Sequence, residues 1–291
     1  MTIAQALRDA RTSIDAVDAR ILLRHALGVS KEYLAIHTDQ PLLPEQIHLF
    51  RTLVESRQRG EPVAYLTGTR EFYGLEFKVT PAVLIPRPET ELLVELALAR
   101  IPENQPSTVL DLGTGSGAIA IALAHYRPSA HVTAADASNA ALTVAAENIE
   151  RLLALDGTTN PPRLKNFRDG LPIELLWSDW YTALQNRRFD VIVSNPPYIA
   201  TMDSHLSEGD VRFEPQTALT SGLDGLNALR HIIFHAPAYL NNEGWLLCEH
   251  GYDQAERVQT LFTEAGFRGV FSAPDLAGIL RVTGGQFCCV Q

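Results

Sequence analysis

From residue 108 onward, short apolar runs recur at intervals filled by helix-like sequence, and this alternation limits the possible folds more than any other feature. Thr108–Leu112, His131–Ala135, Ile173–Trp177, Asp190–Ser194, Gly244–Glu249 and Gly269–Ser272 read as strands, closed by Leu280–Val290. Helical segments separate most of them. Parallel neighbours need such crossovers, so the pattern predicts a doubly wound, mostly parallel α/β sheet. The last two runs have no crossover helix between them and are expected to form an antiparallel hairpin on one edge.

The amino-terminal part is different. Asp15 to Leu27 places Val17, Ile21, Leu22, Leu23 and Leu27 at helical spacings, with Gly28 as a C-cap. Pro44 to Gly60 carries a second stripe of Ile47, Phe50, Leu53 and Val54, with Pro44 in the first turn. Helices without intervening strands suggest a small bundle. The aromatic and β-branched stretch Thr69–Val79 reads as a short hairpin turning near Gly74. The expected organisation is a helical domain over 1–65, a hairpin and linker over 66–105 and the α/β domain over 106–291.

Composition narrows the function. With 24 Lys and Arg against 34 Asp and Glu, the net charge of −10 argues against extended docking on a phosphate backbone. The stretch Arg51–Arg59 also carries Glu55 and reads as a solvated helix face. No window approaches the run of about 18 apolar residues that a membrane span needs, and residues 1–9 lack the pattern of a signal peptide. Cys248, Cys288 and Cys289 form an odd set in apolar contexts, expected to be buried thiols of a reducing compartment and not a metal site. A cytoplasmic protein without membrane contact is the expectation.

Two motifs carry chemistry. Asn195-Pro196-Pro197-Tyr198 ends the fourth strand of the alternation. Its prolines lack N–H groups and hold the backbone extended. The segment is therefore rich in acceptors, namely the Asn195 side-chain oxygen and the Pro196 carbonyl, beside the Tyr198 ring. That suits a planar –NH2 group, whose two hydrogens go to two acceptors while its nitrogen faces a third reactant. Alone, the segment leaves amide, adenine and cytosine open.

The second motif, Asp111-Leu112-Gly113-Thr114-Gly115-Ser116-Gly117-Ala118, links the first strand to a helix. Its glycines permit close backbone approach, and the helix start offers N–H groups to an anionic ligand group. Asp136, ending the second strand, is placed for the hydroxyls of a ribose. The loop also satisfies G-x-G-x-x-A, so by itself it does not exclude NAD. Asp111 tilts the choice towards S-adenosylmethionine, because its carboxylate suits a cationic amine and repels a pyrophosphate.

Taken together these residues resemble the class I S-adenosylmethionine-dependent methyltransferases of the HemK/PrmC family, which methylate a release-factor glutamine on its side-chain nitrogen (N5). The resemblance covers nearly the whole chain. It includes Asp18–Leu23, Gly60–Gly68, Arg70-Glu71-Phe72, Leu84–Glu91, the glycine loop, Ser178-Asp179-Trp180, Ser194–Ile199, Glu214-Pro215, Glu249-His250-Gly251 and Asp275–Gly278 with Arg281. It implies cofactor contacts from Gly113, Thr114, Gly115, Ser116, Gly117, Asp136, Trp180 and Asn195. It implies that Asn195, Pro196, Pro197 and Tyr198 hold the substrate glutamine, with Asn195, Pro196 and Tyr198 catalytic. Tyr198 is expected to pack on the amide plane and face the sulfonium.

The implied donor is S-adenosylmethionine, leaving S-adenosylhomocysteine, with no metal. The implied partners are peptide chain release factors, with no direct nucleic acid contact and a monomeric enzyme, and the helical domain would dock the substrate. Arg87 and Glu89 either line the substrate channel or form a structural ion pair. Related glutamine methyltransferases of a ribosomal protein carry Pro-Arg-Ser-Pro where this chain has Pro86-Arg87-Pro88-Glu89. DNA amino-methyltransferases share the tetrapeptide but usually need a basic face and a recognition region, and neither is evident. The chain departs from the family in a polar, proline-marked insertion over 156–172, read as a surface loop. Gly284-Gly285-Gln286 repeats the tripeptide that the family modifies; a tight turn accounts for it without function.

Overall fold

The computed structural model describes residues 1–153 and 173–288. The 156–172 insertion, Cys289 and the end of the last expected strand lie outside them. The chain divides into two compact units, Met1–Thr69 with Ser204–Phe213, and Arg70–Asp203 with Glu214–Gln291.

The first unit is helical. α1 (Ile3–Ala10) starts in a capping box, in which Thr2 and Gln5 bond each other's backbone N–H. α2 (Ala16–Leu27) is capped by Asp15 and stops at Gly28, whose φ of 65° is the left-handed conformation that glycine adopts freely. α3 (Lys31–Ile36), α4 (Pro44–Gln58) and α5 (Val63–Thr67) complete the set. Ile3, Leu22, Leu23, Phe50 and Leu53 form its buried core. Arg57 of α4 is paired within this unit, bonding Asp18 at 2.7 Å and Asp210 at 2.8 Å, while Arg51 is exposed.

In the second unit, β1 (Thr69–Phe72) and β2 (Leu75–Lys78) form the expected hairpin. Tyr73 and Gly74, both at positive φ, make its two-residue turn. α6 (Glu91–Leu98) then leads into the large sheet: β3 (Ser107–Leu112), α7 (Ala118–Tyr126), β4 (Ala130–Asp136), α8 (Asn139–Leu153), β5 (Ile173–Trp177), β6 (Phe189–Ser194), α9 (Asn227–His235), β7 (Leu240–Glu249), α10 (Ala255–Glu264), β8 (Arg268–Pro274) and β9 (Leu280–Gln286). The order across the sheet is β5-β4-β3-β6-β7-β9-β8. Every pairing from β5 to β7 is parallel, and β9 lies antiparallel between β7 and β8. The closing hairpin therefore inserts its second strand inward.

Both faces of this sheet are covered, which is why its strands are apolar throughout instead of alternating. Val191 and Val193 of β6 join the cluster under α6, α7 and α8, while Ile192 between them joins the one under α9 and α10. Gly284 and Gly285 sit inside β9, paired with Leu247 and Leu246. The expected tight turn at this tripeptide is thus incorrect. A Cβ on Gly284 would collide with Leu247 and Phe271, and one on Gly285 would lie 2.9 Å from Phe262 and Phe267, so close packing on both faces demands glycine. No described helix is long and apolar enough to cross a membrane.

Candidate active site

The carboxyl ends of β3, β4 and β6 open into one cleft of about 690 Å³. Ligands of open α/β sheets bind at this edge. Gly113, Thr114, Gly115 and Ser116 of the glycine loop line it, whereas Gly117, where a Cβ would meet Ile121 and Ala145, does not; φ is 75° at Gly113, 56° at Gly115 and 82° at Gly117. Gly113 and Thr114 N–H groups both donate to the Ala135 carbonyl, and the Gly115 N–H donates to Asp136 Oδ2 at 2.9 Å. Gly117 N–H donates to Thr114 O. These amides brace the loop against β4 and within itself. A pyrophosphate cradle would need them directed outward.

The two aspartates divide the expected work. Asp136 lines the cleft, and its Oδ1 accepts the Ser138 N–H at 2.8 Å. Burial raises its pKa against these bonds. Asp111 is fully buried behind the loop and is not part of the cleft wall. Its Oδ2 accepts the Thr114 hydroxyl at 2.6 Å and the Ala120 N–H at 3.2 Å, whereas Oδ1 is buried without a partner. Burial pushes this carboxyl up to about 7. An orphaned acceptor of this kind is what a cationic amine satisfies.

Trp180 also lines the cleft, its ring beside Gly113, at a φ of 49° that costs a non-glycine residue about 1–3 kcal/mol. Ser178 holds it there: its hydroxyl donates to the Trp180 carbonyl at 2.6 Å, and its N–H donates to the Asp136 carbonyl at 3.0 Å. The turn bearing Trp180 is thereby tied to the end of β4.

Asn195 follows β6, which Ser194 fastens to β3 through a 2.7 Å bond from its hydroxyl to the Leu112 carbonyl. Asn195 and Pro197 line the cleft, whereas Pro196 is buried and Tyr198 is not in the wall. The Tyr198 ring packs against the apolar cluster of α9 and α10, and its hydroxyl donates to Glu249 Oε1 at 3.2 Å. That differs from the expected stacking on a substrate amide. The Tyr198 carbonyl accepts from Gln254 Nε2 at 2.9 Å, and Gly225 passes so close that a Cβ there would collide with it.

Asn195 Nδ2 donates to the Thr90 hydroxyl at 3.1 Å. This leaves its Oδ1 as the acceptor offered to a ligand. Arg87 and Pro86 also line the cleft, and Arg87 pairs with the buried Glu214, whose Oε1 accepts the Ile85 N–H at 3.1 Å. Glu89 is exposed.

Sequence reading missed Asn148. This α8 residue is fully buried; its Oδ1 accepts the Lys78 N–H at 2.7 Å, and its Nδ2 donates to the Lys78 and Ser116 carbonyls, both at 2.9 Å. A lone polar residue on the apolar face of an amphipathic helix is the one signal that points to it. Among the described cysteines, Cys248 is buried and Cys288 is half-buried, both free. Among the described residues no group of three or more His, Cys, Asp or Glu is placed to hold a metal ion.

The sheet order, the glycine loop after the first strand of the sheet and the acceptor segment after the fourth define a class I methyltransferase. Residues 2–68 match the PrmC N-terminal domain and residues 89–210 the methyltransferase small domain. The release factor glutamine methyltransferase of Burkholderia pseudomallei is 52% identical, spanning 98% of this chain and 96% of its own. That of Escherichia coli is 44% identical over 93% and 91%. A solved T. thermophilus 16S rRNA N2 methyltransferase, in complex with AdoMet and guanosine, shares the fold. It is 22% identical, with a TM-score of 0.51 over 75% of this chain and 49% of that one. The chain belongs to the release factor glutamine methyltransferase family.

Fold and family imply S-adenosylmethionine as donor, and the residues present fit it. The cleft volume lies within the range of small-molecule sites, its floor lets a ligand approach backbone at Gly115, where a Cβ would meet nothing, and the Asp136 carboxylate lines it.

Proposed function

We propose that this protein transfers a methyl group from S-adenosylmethionine to the side-chain nitrogen (N5) of the glutamine in the Gly-Gly-Gln segment of peptide chain release factors, without a metal. The observation that supports the reading is the place of Asn195 in the cleft wall, with one hydrogen of its NH2 donated to Thr90 and its Oδ1 left to accept from a ligand. A carboxamide nitrogen is a weak nucleophile because its lone pair is delocalised into the carbonyl. Asn195 Oδ1 and the Pro196 carbonyl would each accept one of its hydrogens, aiming the nitrogen at the reacting carbon.

The cofactor, when bound, supplies an electrophilic methyl on a sulfonium. Asp136 would hold its ribose, the loop from Gly113 to Gly117 its amino-acid end, and Trp180 would pack against it from the cleft wall. No strong base is required before transfer, because the amide proton becomes acidic only as the N–C bond forms and then leaves to solvent. Positioning and fixed dipoles supply the rate. The helical unit would dock the release factor, and the protein would act as a cytoplasmic monomer.

The test is incubation of the full chain with methyl-labelled cofactor and, separately, a release factor, ribosomal protein and duplex DNA. Label is expected in the release factor, at the glutamine of its Gly-Gly-Gln segment. Label in the ribosomal protein or DNA alone would replace this reading with the corresponding alternative.

A further inference from the structure

A glutamine side chain ends in a donor and an acceptor, and Asn195 Oδ1 and the Pro196 carbonyl suit only its NH2. Taken into the cleft without a donor, its carbonyl oxygen would lose the hydrogen bond that water gives it. Arg87 is the only cation among the described residues that line the cleft. Its guanidinium is a rigid fork of N–H donors, and among the described residues it spends one of them, from Nη2 to Glu214 Oε2. The anchor is itself fixed: the Glu214 side chain is fully buried, and its Oε1 accepts the Ile85 N–H at 3.1 Å. Arg87 stays 29% exposed, and none of its nitrogens is buried without a partner. The donors not spent on Glu214 are therefore accessible on a residue of the cleft wall.

Two connections tie this donor to the end of β6, and not to the ends of β3 and β4 where the glycine loop and Asp136 lie. The Arg87 carbonyl accepts the Thr90 N–H at 3.1 Å, and the Thr90 hydroxyl in turn receives the Asn195 NH2. Glu214 leads into a stretch bonded to Ile199, the residue after Tyr198: the Leu219 carbonyl accepts the Ile199 N–H, and the Ser221 N–H donates to the Ile199 carbonyl, both at 2.9 Å. A charged donor thus shares one corner of the cleft with the acceptor pair.

We propose that Arg87, anchored by Glu214, donates to the side-chain carbonyl oxygen of the substrate glutamine. This inference rests on the proposed amide methylation and adds to it the group that reads the other end of the amide. A donor at one end and acceptors at the other also reject glutamate, whose second oxygen would face Asn195 Oδ1 and the Pro196 carbonyl. As the N–C bond forms, the nitrogen lone pair leaves amide resonance and the carbonyl oxygen sheds negative charge. The contact is therefore no stronger in the transition state than before it, and it binds and orients without lowering the chemical barrier. Pairing with Glu214 serves the same end, because an unpaired guanidinium would draw the lone pair further into the carbonyl.

The test uses the full chain, labelled cofactor and a release factor, with cofactor Kd measured separately. Arg87→Met keeps the apolar stem and removes the donors; combining it with Glu214→Gln avoids stranding a buried charge. The double variant should raise KM for the release factor at least about tenfold, as for loss of a hydrogen bond from a charged donor, with kcat and cofactor Kd within about threefold. Arg87→Lys keeps the ion pair but must divide one nitrogen between Glu214 and the substrate, so its KM should lie between the two. A release factor whose glutamine is replaced by alanine should inhibit wild type and double variant with Ki values within about threefold of each other, because the contact is to the missing side chain. A wild-type KM in Arg87→Lys, or a KM within about threefold of it in the double variant, overturns the assignment. So does a Ki that weakens as much as KM, which moves Arg87 to another part of the release factor. A cofactor Kd weakened about tenfold at unchanged KM overturns it too, and moves Arg87 to the cofactor carboxylate. A wild-type enzyme that labels no glutamine overturns the amide-methylation reading instead, and this assignment with it.

Discussion

Replacing Asn148 by alanine tests how the cofactor loop is held. The wild-type side chain makes three hydrogen bonds in a fully buried position, two of them to Lys78 and one to the carbonyl of Ser116 in the glycine loop. Alanine removes all three and strands one N–H and two carbonyls. At roughly 1–1.5 kcal/mol for each lost bond the cost is about 3–4.5 kcal/mol, a large share of a domain's stability. Trp177, Trp180 and Trp245 all belong to the second unit, so intrinsic fluorescence during urea unfolding follows that unit. The expected result is a lower midpoint at unchanged m-value, with weaker cofactor binding because Ser116 loses its tether. A loss below about 1 kcal/mol, or an unaltered cofactor affinity, would show that water replaces the amide and that the tether is dispensable.

Asn195→Ala should reduce turnover at least about a hundredfold while cofactor affinity, read by calorimetry, stays within about threefold. Gly225→Ala should displace the Tyr198 carbonyl and strain a φ of 77°, lowering kcat with a modest loss in thermal midpoint; an active, fully stable variant would refute the close approach. Gly284→Ala should overpack β9 against Leu247 and Phe271 and cost about 1–3 kcal/mol in urea unfolding. Asp111 has a folded pKa raised to about 7 above an ordinary value near 3.8, so its contribution to stability is present below the unfolded pKa and is lost as pH rises through about 7. The loss amounts to about 4 kcal/mol at 1.36 per unit. Midpoints at pH 5 and 8 should differ less in Asp111→Asn; because Glu249 titrates in the same direction, the slope should be reduced and not abolished.

Alternation of apolar runs and helical stretches was enough to read the second unit as a doubly wound sheet, because a strand buried on both faces leaves an unbroken apolar signature. Asn195 and the glycine loop were legible for a related reason, since prolines and glycines mark backbone conformations that ordinary residues do not take. What stayed hidden depends on contacts between distant segments. Nothing local to Thr90 shows that Asn195 lies against it, 105 residues away in sequence. Glu249 ends an apolar strand and reads as a boundary; only β7 lying beside β6 makes it the partner of Tyr198. The place of Asp111 before the glycines is visible in the sequence, whereas the bonds of its Oδ2 to Thr114 and Ala120, which leave Oδ1 buried without a partner, are a matter of side-chain direction.

The tripeptide Gly284-Gly285-Gln286 in β9 acquires a meaning from its surroundings. A catalyst whose target is so short a motif and which carries that motif itself is open to acting on its own kind. Here both glycines are sheet-paired on each side or packed against aromatic rings, and the Gln286 amide donates to the Glu243 carbonyl at 2.9 Å. Offering this glutamine to another copy would mean pulling out a strand flanked by β7 and β8, which amounts to unfolding that edge of the sheet. The pairing of β9 on both sides thus sets this tripeptide apart from one that a free segment of chain could offer to a cleft.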